Sequence, residues 1–114
     1  MNMIEELRET LRMEIRPNSD EFRYLEAVVH RKDLELLSVL LTKHLGSAAK
    51  EPGREANLPV EIKTLADSIG GLRTQQSFFY RKEKDFTVLF AALWPWESNP
   101  DKITLKAGIG APEE

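Results

Sequence analysis

The run FTVLFAALW, residues 86–94, decides the fold. As a strand it sends Phe86, Val88, Phe90, Ala92 and Trp94 to one side and Leu89, Ala91 and Leu93 to the other, so both faces are apolar. Such a strand belongs in an interior, because burying each large side chain is worth roughly 1.5–3 kcal/mol and a wet face forfeits it. Pro95 and Trp96 follow at once, and residues 97–101, ESNPD, read as a turn.

The neighbours of this run alternate too. Phe78 and Tyr80 oppose Phe79 within residues 74–82, which predicts a preceding strand, and residues 83–85 make a charged turn into the central run. After the turn, Ile103, Leu105, Ala107 and Ile109 alternate with Thr104, Lys106 and Gly108, the pattern of a half-buried strand. A three-stranded antiparallel meander results, with residues 86–94 in its middle.

Upstream the period is helical. Ile4, Leu7, Leu11 and Ile15 form a narrow apolar stripe that predicts a short helix ending before Pro17, so that residues 1–17 act as an N-terminal docking helix. Residues 20–45 read as helix, either one long element or two, over 20–31 and 33–45, with Asp33 as the second cap. Phe22, Leu25 and Val29 share an arc with Leu37, Leu41 and Leu45, and Gly46 stops the element. Residues 46–58 lack any apolar period and read as an exposed loop. Pro59 opens a further helix carrying Ile62, Leu65, Ala66 and Ile69 as far as Gly70 and Gly71, and residues 110–114 are a frayed tail. The expected fold is a single α+β domain in which three or four helices precede the meander and pack on it.

With 114 residues, 41% hydrophobic and 31% charged, the chain has the composition of a soluble globular domain. A net charge of -3 argues against a protein devoted to neutralising phosphates or anionic lipid. The absence of cysteine excludes disulfides, thiolate metal sites and thiol catalysis, and no cofactor is called for. An acidic start without an apolar core, and the lack of any run long enough to span a bilayer, lead to the expectation of a cytoplasmic protein.

Three stretches carry chemistry. On a continuous helix Glu26, His30 and Asp33 would share a face at metal-ligand or acid–base spacing, although a fourth group would have to come from elsewhere, and His44 would serve the carbonyl end of its helix. Residues 64–71, TLADSIGG, resemble the first helix and turn of a helix-turn-helix. That resemblance implies a winged-helix DNA binder in which residues 72–81 form the recognition helix, with Arg73, Gln75, Gln76 and Arg81 offered to bases and phosphates. The aromatic Phe78-Phe79-Tyr80 run reads better as strand. The Gly108-x-Gly110 pair has no following helix and is no dinucleotide fingerprint. Trp94-Pro95-Trp96 is the third stretch, two indoles around a strand-ending proline, suited to a core lid or to a rigid wall for a ligand.

Only one face of the central strand has an obvious cover in the helical layer. The other, bearing Leu89, Leu93 and Phe79, needs the first helix or a second subunit. The sequence therefore reads as a small non-enzymatic interaction or regulatory module, self-associating through Phe79, Leu89, Leu93, Trp96 and the N-terminal helix. A homo-oligomer or protein partner is expected, and no membrane.

Overall fold

The computed structural model describes residues 2–20, 23–55, 57–72, 75–83 and 87–110. Along the chain run α1 (Met3–Thr10), β1 (Met13–Ile15), β2 (Tyr24–His30), a single 3-10 turn (Arg31–Asp33), α2 (Leu34–Leu45), α3 (Val60–Ser68), β3 (Ser77–Lys82), β4 (Val88–Pro95) and β5 (Lys102–Gly110). The strands form one five-stranded sheet in the order β1-β2-β5-β4-β3, with every pairing antiparallel. The domain is α+β, and the β3-β4-β5 meander is there. Two further strands widen it.

Those two strands correct the helical reading of residues 3–15 and 20–31. Helix α1 stops at Thr10, with the Leu11 N–H closing on the Leu7 carbonyl, and Met13–Ile15 is strand. Residues Tyr24–His30 are β2, held by β1 on one side and β5 on the other. Leu25 and Val29 lie four positions apart, a spacing that satisfies a strand face as well as a helix face. Ala27 completes the strand stripe of Leu25, Ala27 and Val29, and all three are buried. Two sets of ladder hydrogen bonds and a β-branched pair at Val28 and Val29 decide for strand. Only the second half of the expected long helix exists, as α2, with Asp33 at its N-cap but no side-chain capping bond, and Gly46 at its end. Phe22, Phe86 and residues 111–114 of the expected elements lie outside the described residues.

Strand β4 is buried on both sides. Ala91 and Leu93, with Phe79, Ile103 and Leu105, face a core closed by Ile4 and Leu7 of α1 and Leu37 and Leu41 of α2. Val88, Phe90 and Ala92, with Phe78, face a second core closed by Ile62, Leu65 and Ala66 of α3. The face expected to need a partner is thus covered inside the chain. Phe79 keeps 5% of its surface and Leu93 4%. The first helix does cover that face, with help from α2. Its docking is pinned at the surface by Glu6, which accepts from Lys43 Nζ at 2.9 Å and meets His44 Nε2 at 2.6 Å. His44 therefore serves α1 and leaves its own carbonyl to Arg81, which donates to it at 3.3 Å.

Helix α3 covers only half of its face. It lies on β3, β4 and the end of β5, where Gly110 lets it come down close: a Cβ at Gly110 would stand 2.8 Å from Leu65 Cδ1. The remaining half, made by β1, β2 and the first part of β5, carries Glu14, Glu26, His30, Lys102, Thr104 and Lys106 and has no helix over it among the described residues. No described helix is long and apolar enough to cross a membrane.

Leu105 sits on the central strand with no exposed surface. Leu105→Ala is expected to cost about 2–5 kcal/mol, through lost transfer energy plus the cavity left behind. Urea unfolding measures it, and a loss under about 1 kcal/mol would show that the two-faced core is not closed as described.

Candidate binding groove

The end of the sheet where β4 passes into β5 gathers the aromatic stretch. Pro95 closes β4, the Trp96 N–H donates to the Lys102 carbonyl at 3.0 Å, and the Lys102 N–H donates to Asn99, also at 3.0 Å, so the corner is tightly hydrogen-bonded. The Trp96 indole N–H donates to Thr104 Oγ1 at 2.8 Å, and Lys102 Nζ stands 5.3 Å from the ring. Trp96 is held in one orientation while remaining partly exposed. A pre-set aromatic surface of this kind loses little side-chain entropy on contact with a ligand.

Trp94 turns toward α3. Its ring packs on Gly70, whose φ of +118° suits glycine and where a Cβ would collide with Trp94 Cη2. Lys106 Nζ sits 3.7 Å from the centre of the ring and donates to the Ile69 carbonyl at 2.7 Å, which ties the end of α3 to the sheet. The Trp94 indole N–H is shielded from solvent and has no acceptor among the described residues. Lys106 also lies 3.9 Å from Glu26 Oε1, which accepts from the Tyr24 hydroxyl at 2.8 Å and from Asn18 at 3.1 Å. Burial works against ionisation of Glu26, but the Tyr24 and Asn18 hydrogen bonds and the charges of Lys106 and Arg16 outweigh it and lower its pKa. Burial, and then Glu26 itself, raise that of Tyr24.

Beside this corner opens a groove of about 1010 Å³. Leu93 and Ile103 form its floor and Trp94, Pro95 and Trp96 one wall. Gln75, Gln76 and Ser77 at the start of β3 form another, with Arg31 and Leu34 at the junction of β2 and α2. Lys50 steadies this second wall: it is buried, its Nζ donates to the Gln76 carbonyl at 2.8 Å, and its backbone bridges the outer edge of Phe78. Among the described lining residues only Arg31 and Glu97 carry charge.

The structure scatters the residues singled out from the sequence. Leu93 and Trp96 meet in the groove, whereas Phe79 is buried in the α1/α2 core. Leu89 lies at the far end of β4, in a pocket of about 170 Å³ with Ile4, His44 and Arg81. Of the nucleic-acid set, Gln75 and Gln76 line the groove, Arg81 is on β3 beside Glu83, and Arg73 lies outside the described residues. Ser77–Lys82 is strand, so no recognition helix runs to residue 81. The expected metal cluster also comes apart. Glu26 and His30 share a face of β2 but stand about 13 Å apart at strand rise, with Asp33 beyond the strand end. No group of three His, Asp or Glu among the described residues is placed to hold a metal. Thr104 and Lys106, which orient the two indoles, were visible in the sequence only as the polar positions of an alternating strand. Comparison with known protein families, with characterised proteins and with solved structures returns no match.

With its pKa lowered by folding, Glu26 contributes stability above the unfolded value of about 4.3 and loses it as pH falls through the folded value. The stability difference between the wild type and Glu26→Gln should therefore shrink between about pH 6 and about pH 3. Urea midpoints across that range check this, and a constant difference would show that the Glu26 charge is not what its partners stabilise.

Proposed function

We propose that this chain is a small non-enzymatic interaction module that captures a partner polypeptide in the groove beside Trp96. The observation supporting it is a partly exposed tryptophan locked by its own indole hydrogen bond at the lip of the groove. Large rigid aromatics at the rim of an apolar depression are the usual anchors of protein recognition. Phe79 and Leu93 of the face expected to self-associate are covered within the chain by α1 and α2, and Leu89 is partly buried, which supports placing the partner at the groove instead. Trp96 and Leu93 remain from the expected set and now belong to one place.

The test is a random peptide library displayed on phage and panned against the whole chain. Enriched peptides are expected to bind the wild type and to lose at least about tenfold in affinity on Trp96→Ala, the effect of one hot-spot anchor. Circular dichroism confirms that the variant folds. An absence of enriched peptides, or binding indifferent to Trp96, would overturn the proposal.

A further inference from the structure

Helix α2 is more apolar than docking on one side requires. Seven of its twelve residues are Leu or Val, and they spread beyond a single core stripe toward the all-round pattern of a helix covered on more than one side. Four of the seven, Leu37, Leu40, Leu41 and Leu45, are buried within the chain. Leu36 and Val39 stay 44% and 60% exposed, and at 3.6 residues per turn Val39 stands about 160° from both Leu37 and Leu41. The other large hydrophobic side chains exposed among the described residues, Ile15 and Val60, lie singly on β1 and at the start of α3. A lone exposed aliphatic is ordinary, whereas a pair at i,i+3 in the middle of a helix makes a stripe.

Charge indicates what covers the stripe. Glu35 and Lys43 lie four residues to either side of Val39, each about 6 Å from it along the helix axis and on the same outward side. A second α2 laid antiparallel, with the two Val39 side chains in contact, brings each Glu35 level with the partner's Lys43, while a parallel arrangement opposes like charges. Glu35 is exposed and meets no cation among the described residues. Lys43 donates to Glu6 at 2.9 Å, yet its side chain is 60% exposed and has further N–H groups to give. The face is therefore complementary to itself. We propose that a second copy of this chain docks on it, α2 against α2 across a twofold axis at Val39. Two twelve-residue helices, each about 18 Å long, bury less than the roughly 800 Å² per partner of a standard interface, so the dimer is weak, with a Kd on the order of 100 µM. Leu36, Val39, Glu35 and Lys43 do not line the groove beside Trp96, and the dimer does not rest on the function proposed above.

Sedimentation equilibrium of the whole chain from about 10 µM to about 1 mM is expected to show monomer passing to dimer. Val39→Lys, a change at an exposed site, sets two ammonium groups against each other at the axis and should weaken the dimer at least about tenfold. Glu35→Lys should weaken it about threefold, and Trp96→Ala should leave it unchanged. The chain has no cysteine, so Val39→Cys reports the geometry directly: the two thiols meet at the axis. Under mild oxidation its linked dimer should form at least about tenfold faster than that of Val60→Cys, whose site on α3 is the more exposed of the two. Circular dichroism checks that each variant is folded. A chain still monomeric at about 1 mM would overturn the proposal. So would a dimer indifferent to Val39→Lys, a dimer lost on Trp96→Ala, or Val39→Cys linking no faster than Val60→Cys. A chain that stays monomeric while a helical peptide from a displayed library binds it in a Val39-dependent way would give the stripe to a different protein.

Discussion

Everything in this domain follows from a strand that must be dry on both sides. Alternation places Phe90 and Leu93 of β4 on opposite faces, and neither can be left in water without losing on the order of 2 kcal/mol of burial. A single helical layer cannot satisfy that. The chain therefore divides its helices, α1 and α2 on one face and α3 on the other, and builds two cores that share one sheet. Because α1 and α3 are short, eight and nine residues, neither is stable alone, and each depends on the sheet it covers. Sheet and helices are one cooperative unit.

The second cover is incomplete, and the polar network marks its boundary. Lys106 stands where α3 ends: it binds the Ile69 carbonyl, lies on the Trp94 ring and faces Glu26. A lysine on a bare sheet would be solvated. Here its side chain is only 15% exposed and its charge is met from three directions, so it closes the edge of the apolar core and begins the polar half of the face. Glu26, expected as a metal ligand beside His30, is the counter-charge of this lysine.

The meander was legible because its strands alternate without ambiguity: Ile103, Leu105 and Ala107 share one face, and Phe78 opposes Phe79. Gly46 and the Gly70-Gly71 pair marked real ends, since both helices stop there. Residues Tyr24–His30 were not legible, because Leu25 and Val29 fit two periods and the deciding facts, pairing with β1 and β5, are long-range. That misreading removed β2 from the sheet and turned Glu26, His30 and Asp33 into neighbours, while the reading of residues 13–15 as the end of the first helix removed β1. The site was legible in part. Trp94-Pro95-Trp96 stood out as a local pattern, but the opposite wall of Gln75 and Ser77 and the Arg31–Leu34 junction come from segments that no local rule connects to it.

The groove itself is a consequence of strand length. The Trp96–Lys102 hydrogen bond fixes the ladder, so even-numbered residues of β4 bond to β5 and odd-numbered ones turn toward β3. The last pair with β3 is Leu93 with Ser77, and the next odd position is Pro95. A proline has no N–H to give, so β3 would forfeit one of the paired ladder bonds by extending alongside it. Pairing with β5 continues through Pro95, while the β3 side stops short. The depression left at that corner is lined by whatever the two faces expose there: Leu93 from the α1/α2 side and Trp94 from the α3 side. One proline thus ends the strand, borders the groove and separates the indoles, which is why the most unusual local stretch of the sequence and the groove coincide.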